Sequence, residues 1–257
     1  MRRPSRPGWA DLRSEAVPGS RLTGGRTRRL GPDWLLGRAR RGRPTSIEHY
    51  YHVYAVNRWR EILSQHLDEL ERSGLLGELD RVHLGIVGPD HARAEVVSMA
   101  SERVGVEVVA EAENGWEHLT LRALWRAPKR PGVAVLYAHS KGASYSRADP
   151  FRDAWRKSMT TAVVVRWRRC LRLLRDHDLV GCHWLTPERW GAVPDFGECP
   201  YFGGNFWWAR SEWLATLGPP LPGPKERWAA EPWVGGCGNP RVADLTPGWP
   251  GLDTFLP

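Results

Sequence analysis

Short apolar runs alternate with amphipathic segments from residue 50 to residue 184, and this alternation restricts the chain to an α/β fold. Apolar runs rich in β-branched and aromatic residues and bounded by turn residues predict buried strands. They lie at Tyr50–Val56, Val82–Val87, Val106–Ala110, Val133–Ala138 and Leu179–Trp184. Segments with helical spacing separate them, at Arg58–Arg72, Ala92–Val104, Trp116–Arg126 and Phe151–Arg175. We therefore expect a mostly parallel central sheet with helices on both faces.

Basic charge is concentrated at the start of the chain. The formal net charge is +8, but residues 1–45 contain twelve arginines and three acids, so the remainder carries about −1. A stretch rich in Arg, Pro and Gly buries too little apolar surface to order itself. We expect a disordered tail over residues 1–45 and one domain over residues 46–257. The near-neutral body argues against a specific nucleic-acid binder, although the tail could contact acidic surfaces weakly.

The sequence contains no signal for a membrane-spanning helix, a secretory signal or a cysteine-based metal site. No apolar run approaches the roughly 20 residues of a membrane-spanning helix, and the basic start lacks the apolar region of a secretory signal. The cysteines form no CxxC pair, which predicts reduced thiols in a cytoplasmic protein. They lie at Cys170, Cys182, Cys199 and Cys237.

A polar corner follows the fourth predicted strand. His139, Ser140, Lys141 and Gly142 come directly after Ala138, and ligands of open α/β sheets bind at the carboxyl ends of strands. An imidazole, a hydroxyl, a cation and a close backbone approach suit a diphosphate. A surface turn with a solvated lysine is the alternative. The sequence contains neither GxGxxG, GxxxxGK[ST] nor GxSxG, and its one D-x-D, Asp176–Asp178, precedes a strand and is predicted to be structural.

Two aromatic segments in the last quarter of the chain contain further candidate site residues. In the first, flexible glycines and an amide precede flat rings, which suits a polyhydroxylated substrate; it comprises Gly203, Gly204, Asn205, Phe206, Trp207 and Trp208. The alternative is a buried aromatic strand after a glycine bulge. The second contains Glu226 and Glu231. Small apolar neighbours should raise the pKa of Glu231 and suit it to act as a base; two solvated acids on a surface helix are the alternative.

Taken in order, these motifs resemble a bacterial glycosyltransferase-like family of GT-A type. The family pattern has an H-[ST]-K-G corner, a W-R-x-x-M helix start, an [AGS]-G-N-F-W-W-[AS] segment and a final E-x-W-[IV], and it is distantly similar to the rhamnan-synthesis type transferases. Here the matching positions are His139–Gly142, Trp155 to Met159, Gly203–Ala209 and Glu231–Val234, with YYHVYAVNRW at residues 50–59 also similar.

The resemblance implies a GT-A-like domain, Rossmann-like in outline, that transfers a sugar from a nucleotide-sugar donor to a hydroxyl of a carbohydrate or small molecule. It places Glu231 as the catalytic base. The implied donor-binding residues are His139, Ser140, Lys141, Gly142, Tyr54, Asn57 and Trp59, and the implied acceptor-binding residues are Gly204, Asn205, Phe206, Trp207 and Trp208.

The departure from the GT-A pattern concerns the metal. Many GT-A enzymes hold the donor diphosphate through Mg²⁺ or Mn²⁺ on a D-x-D, whereas His139 and Lys141 stand at the corresponding strand end here. A lysine can neutralise a leaving diphosphate as a point charge. We therefore favour metal-independent transfer without a cofactor, and a divalent metal, Mg²⁺ or Mn²⁺, bound without a D-x-D is the alternative. A catalytically inactive carbohydrate- or nucleotide-sugar-binding protein on the same fold is the alternative.

Overall fold

The structure is a computed structural model that describes residues 42–186, 199–220, 227–236 and 238–246. The chain divides into two compact units, Met1–Ala39 and Arg40–Pro257, and every described residue belongs to the second. Most of the predicted tail thus lies outside the described residues. Its disorder and the domain boundary at residue 46 stay predictions.

A seven-stranded sheet in the order β3-β2-β1-β4-β8-β5-β9 forms the centre of the second unit. All of its neighbouring pairs are parallel except those of β8, which is antiparallel to both β4 and β5. The prediction of a mostly parallel α/β sheet is confirmed. The strands are β1 (Ser46–Tyr54), β2 (Val82–Val87), β3 (Val106–Ala112), β4 (Val133–His139), β5 (Leu179–Gly181), β6 (Trp184–Leu185), β7 (Tyr201–Phe202), β8 (Trp207–Arg210) and β9 (Val242–Asp244), of which β6 and β7 pair separately.

The helices connect these strands, and one of them differs from its prediction. They are α1 (Trp59–Arg72), α2 (Asp90–Ser101), α3 (His118–Arg126), α4 (Pro150–Thr160), α5 (Trp167–Leu173) and α6 (Ser211–Leu214), with 3₁₀ turns at Leu76–Glu78 and Arg227–Trp233. No helix within the described ranges has the length and apolar character to cross a membrane.

The helix predicted over Phe151–Arg175 is interrupted by a π-helical turn at Thr161–Val165. Two side chains reach backbone carbonyls there: Trp208 Nε1 donates to Val163 O at 2.8 Å, and Cys170 Sγ donates to Ala162 O at 3.4 Å. Side-chain donors that occupy helix carbonyls favour such local widening. The contact with Trp208 crosses 45 residues, so helical periodicity alone does not contain it.

Alternate residues of the central strands face two separate cores. Tyr51 and Val53 of β1 pack with α1, α2 and α5 on one face of the sheet. Tyr50 of β1 and Tyr137 of β4 pack with α3 and α6 on the other. This two-sided burial explains why the central strands are almost continuously apolar or aromatic, and it confirms helices on both faces.

Two buried histidines of β1 face these opposite cores. His49 Nε2 lies 2.8 Å from His66 Nε2 of α1, and burial lowers the pKa of His49 to about 4. His52 Nδ1 lies 2.7 Å from Thr120 Oγ1 of α3, and burial, with smaller effects of His139 and His118, lowers its pKa to about 3. Both imidazoles are therefore neutral in the folded protein near neutral pH.

The cysteine prediction requires a correction. Cys199 is disulfide-bonded, whereas Cys170 and Cys182 are free and buried. The expectation that all thiols are reduced is therefore wrong for Cys199. Missing CxxC spacing excludes only local pairs, and cysteines far apart in sequence can still meet in the fold.

Candidate functional site

The antiparallel course of β8 brings two of the sequence motifs together. Tyr137 of β4 is paired with Trp207 of β8. Because the two strands run in opposite directions, the carboxyl end of β4 lies beside the amino end of β8. The corner after β4 therefore meets the turn at Gly204–Phe206 before β8. His139 Nε2 donates to Gly204 O at 2.9 Å across this junction.

The corner itself is tied to the end of β1. Ser140 N donates to His52 O at 2.9 Å, and Tyr54 N donates to Ser140 Oγ at 2.7 Å. Gly142 has φ 93°, in the left-handed region that favours glycine. Ser140 is buried and acts as a brace, while Lys141 and Gly142 remain partly exposed at the sheet edge.

The W-R-x-x-M segment of α4 supports this corner from one side. Lys141 Nζ lies 4.0 Å from the centroid of the Trp155 ring, a cation–π contact. Arg156 is buried and donates to Lys141 O at 3.1 Å. A Cβ on Gly204, whose φ is 90°, would lie 2.6 Å from Met159 Sδ. The turn before β8 thus depends on a glycine for both its backbone angle and its contact with α4.

Glu117 joins the two motifs from the other side. It immediately precedes α3, and it accepts from Asn205 Nδ2 at 2.7 Å and from Tyr137 Oη at 3.1 Å. His139 Nδ1 lies 3.4 Å from its other oxygen. Burial raises the pKa of the Glu117 carboxyl, and the Asn205 hydrogen bond and the charge of Lys141 oppose part of that rise. A largely buried carboxylate among polar groups at a strand end is typical of a functional site.

Sequence reasoning missed Glu117, although a signal was present. The residue comes at the start of a predicted helix, shortly after the third predicted strand, where carboxyl-end loops bind ligands. Tyr137 was also missed as a site residue because it lies inside an apolar run that predicts only burial.

Glu231 approaches the same region from the 3₁₀ turn at Arg227–Trp233. It is partly buried. Burial raises the pKa of Tyr201 to about 12 and the pKa of Tyr137 well above its usual value, and the negative charge of Glu231 adds to both increases. A Cβ on Gly235 would lie 1.7 Å from Pro200 O, so a glycine allows this turn to pack against the segment before β7. Glu226 lies outside the described residues.

The predicted donor residues near β1 have different environments. The Tyr54 ring stacks on the Trp116 ring at a centroid distance of 5.5 Å. Asn57, with φ 50°, is exposed and donates to Ser144 O at 2.8 Å. Trp59 is only 2% exposed and packs in the core on the α1 side. The structure therefore brings Tyr54 and Asn57 to the edge near the corner and places Trp59 beneath it.

The predicted acceptor residues are largely buried. Asn205 and Phe206 are each 1% exposed, and Trp207 and Trp208 are fully buried. Trp207 Nε1 donates to Asn205 Oδ1 at 2.7 Å, which fixes the orientation of the Asn205 amide towards Glu117. Trp207 and Trp208 therefore belong to a buried strand, as in the alternative interpretation of this segment. Their indole rings pack behind the turn that precedes it.

Acids that could hold a cation near the corner are engaged by arginines. Asp149 accepts from Arg152 N and pairs with its guanidinium, while Asp153 binds Arg58 and Arg156. Asp178 of the D-x-D accepts from Arg241 N at 2.9 Å, at the amino end of β5. The described part of the chain contains no group of three or more His, Cys, Asp or Glu placed to hold a metal ion.

A groove of about 970 Å³ runs between α3 and the edge strand β3. Asn114, Gly115, Trp116 and His118 line the end of the groove near the Tyr54–Trp116 pair. Lys141 and Glu231 do not line it. The groove therefore adjoins the donor side of the candidate site and is separate from its charged groups.

Comparisons with known proteins give a family and distant structural likenesses. A family model described as "Domain of unknown function (DUF8361)" matches residues 50–227. No curated protein matches the chain.

Among solved structures, Rv0371c from Mycobacterium tuberculosis H37Rv is similar at 17% identity and a TM-score of 0.38, covering 79% of this chain and 89% of that one. A manganese complex of the same protein is also similar, at 18% identity. The mannosyltransferase PcManGT from Pyrobaculum calidifontis, in complex with GDP-Man and Mn²⁺, has 17% identity and a TM-score of 0.43, covering 84% of this chain and 60% of that one. The 4-diphosphocytidyl-2C-methyl-D-erythritol synthase from Anaerococcus prevotii DSM 20548 has 12% identity and a TM-score of 0.35, with coverages of 65% and 73%. Likenesses at this level do not transfer an activity.

Proposed function

We propose a function from the site itself, since the chain belongs to the DUF8361 family, a domain family of unknown function. The proposal is that the protein transfers a sugar from a nucleotide-sugar donor to a hydroxyl acceptor. One observation carries it: the partly exposed Lys141 and the largely buried Glu117, whose charges interact, lie at the carboxyl end of β4, and the charge of Glu231 also acts on Tyr137 of that strand. The motif resemblance to GT-A-type transferases supports the same reaction.

The donor would lie across the corner after β4. Lys141 offers a cation for the diphosphate, and the positive φ of Gly142, directly after it, lets the backbone turn tightly against Arg156. Tyr54 and Trp116, whose rings stack on each other, present flat surfaces for the nucleotide at the end of β1. His139 is held between Gly204 O and Glu117, so we assign it to fixing the corner.

The acceptor would approach from the side of the 3₁₀ turn. Glu231 would remove the proton from the acceptor hydroxyl as its oxygen bonds to the anomeric carbon, while the bond from that carbon to the diphosphate oxygen breaks. The electron pair leaves with the nucleoside diphosphate, whose added charge Lys141 stabilises. A single direct displacement of this kind inverts the anomeric centre. Glu117 would position Asn205 and His139 beneath the reacting groups.

A non-catalytic nucleotide-sugar-binding protein is the second candidate. The arginine partners of Asp149 and Asp153 favour it over a metal-assisted enzyme, because these acids are not available to replace a D-x-D. Such a protein would bind the donor with the same lysine and would not consume it.

A panel of nucleotide sugars tests the donor assignment through the unfolding temperature of the full chain, because a bound ligand stabilises the folded state by mass action. We expect one donor class to raise that temperature. Lys141→Met should weaken its binding roughly 10-fold or more, as removal of a charge-assisted contact does, while the thioether still packs on Trp155. Lys157→Met removes an exposed lysine of α4 and serves as the matched control.

Product analysis then separates the two candidates. Release of nucleoside diphosphate with sugar transfer, unaffected by EDTA, supports the metal-independent enzyme. Donor binding without turnover supports the binding protein. Equal binding by both lysine variants, or no donor bound at all, would refute the assignment of the corner.

A further inference from the structure

A run of arginines without acids covers the segment after the π-helical turn. Residues 166–175 contain Arg166, Arg168, Arg169, Arg172 and Arg175, and no Asp or Glu occurs between Asp153 and Asp176. The apolar residues of the same segment, Trp167, Cys170, Leu171 and Leu174, are buried. The helix therefore presents its arginines outward.

These five arginines differ from most others of the protein in having no acid partner. Among the described residues, eleven arginines have a carboxylate oxygen within the 4.0 Å limit of an ion pair, and none of the five belongs to this group. Arg43, Arg122, Arg126 and Arg147 of the described residues also lack such a partner, but residues 166–175 are where five unpaired arginines follow one another in a single segment. Such a surplus attracts an anionic ligand.

Three of the five converge on one concavity. A cavity of about 440 Å³ is lined by Arg43, Arg168, Leu171, Arg172 and Arg175, with no acid among the lining residues. Arg43 comes from the segment before β1, so two separate parts of the chain supply the cations. Four arginine side chains and one leucine line the cavity, and the positive charge that these arginines carry suits a compact ligand with several oxyanions.

Local contacts hold part of this surface in place. Arg168 Nη1 and Trp167 Nε1 both donate to Ser73 O, at 3.2 and 3.1 Å. The Arg168 guanidinium also lies 4.2 Å from the centroid of the Trp167 ring. A guanidinium fixed by stacking and a backbone bond loses less freedom when it binds an anion.

We propose that this concavity, the α5 arginine site, binds a compact ligand carrying two or more phosphate oxyanions. Arginine matches phosphate through bidentate hydrogen bonds. The phosphates can belong to a soluble oligophosphate or to the headgroups of anionic lipids. A nucleic-acid duplex is disfavoured because the cations surround a small cavity instead of following an extended stripe.

The α5 arginine site lies away from the candidate sugar-transfer site. Arg43 and Arg175 precede β1 and β5, so they stand near the amino ends of these strands, whereas Lys141 follows the carboxyl end of β4. Neither Lys141 nor Glu231 lines the cavity. The phosphate site is therefore independent of the proposed function, and the two can be tested separately.

Inorganic diphosphate is the probe for the soluble ligand, measured by calorimetric titration of the full chain. We expect Arg172→Gln/Arg175→Gln to raise the dissociation constant by about tenfold or more, since two charge-assisted contacts are lost. Arg166→Gln/Arg169→Gln removes the same charge from the same segment but outside the cavity, so it should change binding little. Repeating the titration with Lys141→Met excludes diphosphate bound at the corner after β4.

Co-sedimentation with vesicles tests the lipid source, with phosphatidylcholine alone or mixed with phosphatidylglycerol. Diphosphate binding without vesicle binding identifies a soluble phosphate ligand, and vesicle binding lost only in the cavity variant identifies lipid headgroups; either supports the proposal. No binding of either probe, equal loss in both double variants, or binding of duplex nucleic acid alone would overturn it. If the cavity variant does not fold, Arg172→Gln alone provides the same comparison.

Discussion

Among single residues of the candidate site, Glu117 has three polar partners, Asn205, Tyr137 and His139. Replacing it by alanine would leave the Asn205 amide and the Tyr137 hydroxyl without their acceptor. We expect a loss of roughly 1–3 kcal/mol in the free energy of unfolding, the cost of unsatisfied buried polar groups. Glu117→Gln retains an acceptor oxygen and should lose less. Urea denaturation of the two variants measures the difference.

A positioning role for Glu117 also has a kinetic signature. If it acts only through Asn205 and His139, Glu117→Gln should still bind the donor and should lower kcat more than it raises KM. Equal unfolding free energies for the alanine and glutamine variants would show that the hydrogen bonds at Glu117 do not stabilise the fold.

Glu231 is assigned a different task, so its variant should behave differently. Glu231→Gln preserves size and hydrogen bonding but cannot accept the acceptor's proton. We expect turnover to fall by roughly 10²–10⁴-fold, the range of general-base catalysis, with donor binding retained. Glu102→Gln changes an exposed glutamate after α2 and is the control. Turnover at the wild-type rate in Glu231→Gln would make this residue structural.

The sequence predicts the corner after β4 better than it predicts the network around it. His139 and Lys141 follow a recognisable strand, which is a local signal. The contact between Asn205 and Glu117 spans 88 residues and depends on the antiparallel pairing of β8. No local pattern contains that pairing. The aromatic segment before Arg210 is typical of both a ligand wall and a strand, and burial decides between the two.

At the scale of elements, β2 packs tightly against α3 at Gly85. A Cβ on Gly85 of β2 would lie 1.8 Å from Thr120 Oγ1, so Gly85→Ala must push α3 away from the sheet. We expect a loss of about 1–3 kcal/mol in the free energy of unfolding, as overpacking typically costs. Gly77→Ala, at an open position with nothing within 4 Å, should change it little. Denaturant titration distinguishes the two.

Displacement of α3 should also reach the candidate site, because Glu117 immediately precedes this helix. Donor binding by Gly85→Ala should therefore weaken even at temperatures where the variant remains folded. Equal stability of Gly85→Ala and Gly77→Ala would mean that the sheet can absorb the extra methyl group at the irregular register between Leu84 and Gly85.

Elements whose apolar residues follow one regular spacing can be predicted from the sequence. The exceptions, β8 and the π-helical turn, depend on contacts between distant segments. The parallel strands and α1 follow apolar periodicity because each buries one consistent face. β8 and the π-helical turn depend on each other through the Trp208 indole and Val163 O. Such a mutual contact is fixed only when both segments are in place.

At the scale of the whole molecule, buried neutral histidines should make the fold sensitive to acid. The unfolded chain binds protons at these imidazoles near pH 6.5, whereas the folded pKa is about 4 for His49 and about 3 for His52. More protons are bound in the unfolded state between these values, so stability is full above about pH 6.5 and falls as the pH is lowered towards 3. The raised pKa of Glu117 acts in the opposite direction, because the folded state then binds this proton more readily than the unfolded chain does.

His52→Asn tests this dependence, because the amide can replace Nδ1 opposite Thr120 and does not titrate. We expect the wild-type unfolding temperature to drop between pH 7 and pH 4 and the variant's profile to be flatter. His52 should account for up to about 3 kcal/mol of the decrease in the free energy of unfolding at pH 4. Parallel profiles for the two proteins would exclude His52 as a source of the acid sensitivity.

The division into two units predicts that residues 40–257 fold without the preceding segment. A chain that begins at Arg40 retains Arg43 and all described elements. It should show the circular dichroism spectrum and unfolding temperature of the full chain. Loss of soluble protein on this truncation would show that residues 1–39 stabilise the rest.

The position of β8 in the sheet has a consequence for synthesis on the ribosome. β3, β2, β1 and β4 are neighbours and are complete once residue 139 has emerged, but β5 joins β4 only through β8, which ends at Arg210. In the growing chain, β5 and one edge of β4 therefore have no partner strand until β8 has been made. The ribosome adds about 30 residues in this interval, which takes seconds at ordinary elongation rates. An exposed strand edge during that interval invites aggregation. Slow translation between residues 181 and 207 should lower the yield of soluble protein even though the finished fold is unchanged.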